Sequence, residues 1–249
     1  MTTQNHPEIH PEINPEIHPE LRPDIGRNYA RRARPAPGPV DFTVMYAAHD
    51  AFHRDLVRLT EAVRSGRTGD PAVRAGWTTF KNQLHLHHTA EDIALWPALR
   101  RQVTDPAEIA VLDAMEAEHA RIDPLLAQVD AALAGAGDSR AGDSRATLSG
   151  SVAALADTLT RHMAHEEDEA LPLVAAHLGG AGWAAFGKQA GRSQGLRGAA
   201  EFFAWMLDGA SADTTRRLLG LLPPPARLLY RAVWRPAYAR RPRWTDGPS

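Results

Sequence analysis

The chain has 249 residues, 43% of them hydrophobic, a formal net charge of -2 and no cysteine. That size and balance suit one large or two small globular domains. The missing thiols exclude disulfides, thiolate zinc fingers, cysteine-ligated iron-sulfur clusters and cysteine nucleophiles, so any metal must be held by imidazole and carboxylate.

Residues 6–25 repeat a tetrapeptide, HPEI-HPEI-NPEI-HPEL-RPDI. A proline at every fourth position forbids a helix, so residues 1–40 are expected to be a disordered tail. Its His6, His10 and His18 alternate with glutamates, a pattern suited to weak metal capture, although a low-complexity tail without metal chemistry is the simpler reading.

Four helices are predicted next, at 41–65, 71–102, 106–134 and 146–177. The first has a stripe of Met45, His49, Phe52, Leu56, Leu59 and Val63, in steps of four and three that keep to one helical face. The second runs Trp77, Phe80, Leu84, His87, Glu91, Ala94, Ala98, and the third runs Leu112, Met115, His119, Ile122, Leu126, Val129, Leu133. The fourth is Val152, Leu155, Leu159, His162, Glu166, then Ala170 and Leu173 after a small drift. Short connections favour an all-α, up-down-up-down four-helix bundle over residues 41–178. Between the third and fourth helices the duplicated AGDSRAGDSR at 136–145 reads as a flexible surface connection.

Each stripe carries a histidine where an apolar residue is due, and two add a glutamate one turn later. The polar set His49, His87, Glu91, His119, His162 and Glu166 lies about 8 to 15 residues from the same end of the bundle, roughly 12 to 23 Å at 1.5 Å per residue. Buried carboxylates without a partner cost several kcal/mol each. No lysine or arginine falls on the stripes nearby, so a cation from solution is the expected partner. Side chains at i and i+4 can converge on one or two metals. The two halves also look duplicated: in each, a histidine is followed by an HxxxE pair and a proline six residues beyond the glutamate, Pro97 or Pro172.

After Gly179, shorter helices are expected at 197–208, 212–221 and 225–240, a C-terminal extension covering 179–249. From Thr214 to Thr245 there are eight arginines and no acid. Interleaved with Tyr230, Trp234, Tyr238 and Trp244, they suit an anionic membrane surface; the more common outcome is aromatics packed on the parent domain and arginines in solvent. No nucleic-acid motif accompanies them, and nucleic acid is not an expected partner. With no apolar run of membrane-span length and no signal-peptide core at the N-terminus, the expected location is cytoplasmic.

His49-Asp50, HLHHTAEDIALWPAL, EHARID around His119 and RHMAHEEDEALPLV together resemble the hemerythrin-like, or HHE cation-binding, domain over about residues 42–177. The stretch LRGAAEFFAWMLDG resembles the tail of actinobacterial proteins with this domain. The resemblance implies a non-haem di-iron centre, two iron ions joined by an oxo or hydroxo group, with Glu91 and Glu166 as bridges and His49, His87, His119 and His162 as terminal ligands. Oxygen-carrying members place another histidine four residues after the third-helix histidine, where this chain has Asp123. Of about twelve positions on two six-coordinate irons, about two are then left, for an exogenous ligand or for Asp123 or His53. Glu167 is a further candidate, while His88 and His165 flank the stripes as groups that orient ligands or shuttle protons. The expected function is binding or sensing of dioxygen, peroxide or nitric oxide, or iron handling. An enzyme that decomposes peroxide or reduces nitric oxide is the alternative, and a zinc or manganese structural site a third reading.

Overall fold

A computed structural model describes residues 38–135 and 141–244, without the side chains of 141–144. The repeat tail and the first copy of the duplicated AGDSR lie outside these residues. The bundle consists of α1 (Thr43–Arg64), α2 (71–100), α3 (Pro106–Gly135) and α4 (141–178) in up-down-up-down order, α1 lying against α2 and α4, and α4 against α3. The second AGDSR copy, 141–145, is helical rather than part of a connecting loop.

Two of these helices are not α-helical throughout. In α2, Pro71–Ala90 passes through a π-helical turn, Glu91–Leu95, into Trp96–Arg100. In α4, Ala141–His165 is followed by a π turn at Glu166–Ala170, the short Leu171–Leu173 and a second π turn at Val174–Leu178. Trp96 N–H donates to Glu91 O and Leu171 N–H to Glu166 O, each five residues back. Proline supplies the local cause, because Pro97 and Pro172 cannot donate to the preceding turn and their rings crowd it. A π turn holds one extra residue and so rotates everything after it.

That rotation corrects two of the predicted stripes. Beyond Glu91 the core takes Leu95, Trp96 and Leu99 and leaves Ala94 and Ala98 half-buried; beyond Glu166 it takes Val174, not Leu173. The stripes of α1 and α3 are buried as predicted, except that Leu126 is half-buried.

The core has two apolar parts. One gathers Phe52, Leu56, Phe80, Leu84, Ile122, Leu155 and Leu159; the other gathers Met45, Leu95, Trp96, Leu99, Leu112, Met115 and Val174. Between them, at the same level of all four helices, lie the polar residues of the stripes.

The extension folds back on the bundle. Its first helix, α5 (Gly179–Met206), is kinked at Gly195, whose φ of 63° belongs to the left-handed region. It is followed by α6 (Ala212–Leu221) and α7 (224–239), the latter with its own π turn at Tyr230–Trp234. Trp205 is fully buried against Phe52, ring centroids 4.8 Å apart, and its Nε1 donates to Asp55 Oδ2 at 2.8 Å. Arg54 and Arg58 donate to Asp55 Oδ1, and Arg54 also reaches the carbonyl oxygens of Trp205 and Asp208. Farther along, Trp244 is buried over Gly76, where a Cβ would come within 2.4 Å of its ring. The aromatics of the tail thus belong to the bundle core. By length and composition, the stretch 145–206 contains one segment apolar enough to cross a membrane; glycines with positive φ at 179 and 195 interrupt the stretch, and Leu148, Val152, Leu155, Leu159 and Val174 on it are buried in the bundle.

Asp55 is 1% exposed and serves three donors. Asp55→Ala strands a buried indole N–H and takes one of the partners from each of two guanidinium groups, and is expected to cost about 3 kcal/mol in denaturant unfolding. Gly76→Leu is expected to evict Trp244, seen as a red-shifted tryptophan emission with the bundle's helicity retained.

Candidate metal centre

The polar layer divides into two groups. His49 of α1, His87 of α2 and Glu166 of α4 each offer a ligand atom within 4.8 Å of the others, and so do His88, His119 and His162 of α2, α3 and α4. Adjacent histidines on α2 are about 100° apart around the helix, so His87 turns to one group and His88 to the other. Glu91 spans the two: Oε1 lies 3.2 Å from His87 Nε2, and Oε2 lies 3.7 Å from His119 Nε2. His49 Nε2 is 3.1 Å from Glu166 Oε2, and His119 Nε2 is 3.2 Å from His162 Nε2.

The inner atoms lack ordinary partners. Both carboxylate oxygens of Glu91 and of Glu166, together with Nε2 of His49, His87 and His88, are buried without a hydrogen bond. The 3.1 Å approach of His49 to Glu166 is close but not aligned as one. So many converging lone pairs are unfavourable unless a cation sits among them.

The outer atoms, by contrast, are held. His49 Nδ1 is 2.9 Å from Glu167 Oε1, His119 Nδ1 is 2.8 Å from Asp92 Oδ1, and His162 Nδ1 is 2.9 Å from Glu118 Oε2. With the proton assigned to Nδ1, each ring donates outward and presents the Nε2 lone pair inward, the arrangement in which carboxylates orient metal-bound histidines. Glu118 also takes His165 Nδ1 at 3.0 Å, which links the interior to a half-exposed histidine.

All six residues expected from sequence, His49, His87, Glu91, His119, His162 and Glu166, therefore lie in one layer: five of them belong to the two ligand groups, which His88 completes, and Glu91 lies between the groups. His88 is buried with its ring stacked on His119, centroids 3.9 Å apart, so it stands inside the cluster and not only beside it. Asp123 is exposed and His53 lies outside both groups. Glu167 backs His49 from outside. Glu118 was not singled out in the sequence; its signal is its place next to His119, one step round α3 toward α4. His88 carried the same kind of signal beside His87.

Electrostatics show what the layer costs without a cation. Burial opposes a charge on His49, yet Glu166 and Glu167 outweigh it and raise the imidazole to about 9. Burial, then the neighbouring histidines, pushes His87 and His88 well below the usual range. Glu91 is driven well above the carboxylate range by burial first, then by Glu166 and Asp92. A cation would replace the protons that His49 and Glu91 otherwise keep.

An all-helical bundle whose core is split by a layer of histidines and carboxylates defines a cation-binding protein. The model of the Hemerythrin HHE cation binding domain matches residues 40–174, more than half of the chain, and the chain belongs to that family. Neither the curated proteins nor the solved structures gave a match.

Because His49 is raised, its contribution to the stability of the cation-free protein is present below pH about 6.5 and is lost as pH rises through about 9. Loading a divalent metal at pH 7.5 is expected to release on the order of two protons per chain, read in weakly buffered solution. Glu91→Met is expected to raise the stability of the cation-free protein by about 1–3 kcal/mol while weakening metal binding; a destabilised cation-free variant would show that the buried carboxylate is not a cost.

Proposed function

We propose that this protein binds two iron ions in the polar layer and uses them, in the cytoplasm, to bind or sense a small ligand such as dioxygen, peroxide or nitric oxide, or to handle iron. What carries the reading is the pairing of two three-residue groups joined by Glu91, whose two oxygens face different groups. His49, His87 and Glu166 would hold one ion and His88, His119 and His162 the other, with Glu91 between them. The imidazole-rich donor set suits iron better than a metal that prefers oxygen alone. An iron pair bound there supplies redox chemistry and affinity for small diatomic or peroxide ligands. The chain's own part is to orient the rings through Glu167, Asp92 and Glu118, and to keep bulk water out with the two apolar clusters.

Two surface cavities reach the outer carboxylates. One of about 780 Å³ has Asp50 and Glu167 in its wall, and another of about 470 Å³ has Glu118 and His162. Either gives a small molecule a way toward the layer.

An enzyme that decomposes peroxide or reduces nitric oxide is the second reading, and Glu118 favours it. By joining buried His162 to half-exposed His165, it offers a path for the protons such reactions consume.

Anaerobic iron loading is expected to give about two irons per chain, and clearly less in His119→Ala. Metal analysis that finds none in the wild-type chain ends the proposal. Subsequent exposure to dioxygen, peroxide and nitric oxide, followed by absorbance, separates the two readings: a stable adduct supports binding or sensing, repeated consumption supports catalysis. If turnover is found, Glu118→Gln is expected to slow it more than it lowers the iron content.

A further inference from the structure

The arginines of the extension gather around one cleft. It lies between α6 and α7, closed by the 207–210 turn and by Arg58 of α1, and encloses about 1090 Å³. Among the described residues, its wall contains seven arginines and a single carboxylate, that of Asp208.

Four of the arginines are engaged. Arg58 pairs with Asp208 at 2.8 Å and Arg216 with Asp213 at 3.0 Å. Arg227 donates to the carbonyl oxygens of Leu222 and Gly220, at 2.7 and 2.8 Å. Arg243 donates to the carbonyl oxygen of Tyr238 and covers its ring, 3.9 Å from the centroid. The guanidinium groups of the other three, Arg231, Arg235 and Arg241, have no hydrogen-bonded or ionic partner among the described residues, and all three residues are exposed and line the cleft.

We propose that this cleft is a binding site for a small, multiply charged phosphate compound. Like charges gathered on one concave wall raise the local potential and attract anions. Guanidinium forks match phosphate oxygens two at a time, and three unpaired forks facing one space call for several such oxygens. The volume is about that of a small-molecule site, and Tyr230 and Tyr238 also line it. A flat membrane or a nucleic-acid backbone would meet a protruding basic face; here the charge lines a hollow. The site is separate from the metal layer and its occupancy does not depend on iron.

The test uses the full chain and inorganic tripolyphosphate as probe, titrated by calorimetry at physiological salt. Saturable binding at one site per chain is expected, weakened at least about tenfold in Arg231→Gln/Arg235→Gln/Arg241→Gln, with metal content and helicity unchanged. The exposed pair Arg192→Gln/Arg197→Gln, remote from the cleft in sequence and absent from its wall, is expected to leave affinity as it was. No binding of tripolyphosphate, equal binding by the triple variant, or an equal loss in the Arg192/Arg197 control overturns the proposal. Anionic phospholipid vesicles and a short DNA duplex form the comparison arms. Competition by tripolyphosphate for vesicle binding would mark the same site reading a lipid phosphate, whereas vesicle or DNA binding that tripolyphosphate cannot displace, together with no saturable tripolyphosphate site, overturns it.

Discussion

Two carboxylates, Glu91 and Glu166, lie fully buried in the middle of a helical bundle with no lysine or arginine paired to them among the described residues. Left alone, they would oppose folding by several kcal/mol. Around them the rest of the polar layer makes physical sense: imidazole lone pairs face inward, carboxylates hold the opposite ring nitrogens, and two apolar clusters seal the layer from either side. A cation is the one component that satisfies the inner atoms all at once. Without it, the layer compensates by keeping protons, on His49 against its own burial and on Glu91 because of it.

The π turns connect this chemistry to the backbone. Two of them begin at the two glutamates, and each of these two is followed by a proline one residue after the turn closes. The extra residue re-aims the chain, so the glutamate faces the centre while the next buried residues shift by one position. Two effects therefore share one device: a carboxylate is placed in the layer, and Leu95, Trp96 and Leu99 or Val174 seal the core beyond it. π turns recur at functional sites for this reason, since they change a side chain's direction without ending the helix.

The extension adds both stability and a second chemistry. Asp55, six residues beyond His49 on α1, anchors Trp205, whose indole packs on Phe52; that phenylalanine in turn lies 5.2 Å, centroid to centroid, from the ring of His87. The tail thus supports the wall of the metal layer. With its aromatics turned inward, its arginines are left facing outward, and the fold collects them around a cleft.

The sequence by itself determined the bundle, its order and the level of the polar layer, because a 3.6-residue period and short connections leave little freedom. It also marked His49, His87, Glu91, His119, His162 and Glu166 as misfits in apolar stripes. It did not reveal that His88 joins His119 and His162, that Glu118 and Asp92 hold rings from outside, or that Asp55 is the anchor of the tail. Those roles belong to residues one step off a stripe, whose direction depends on which neighbouring helix they meet. The register beyond each glutamate was hidden too, since a straight α-helical period cannot foresee a π turn, although a proline six residues past each glutamate was its visible trace. Periodicity fixes which face of a helix is buried; only the packing of helices against one another decides which of two adjacent side chains reaches the centre.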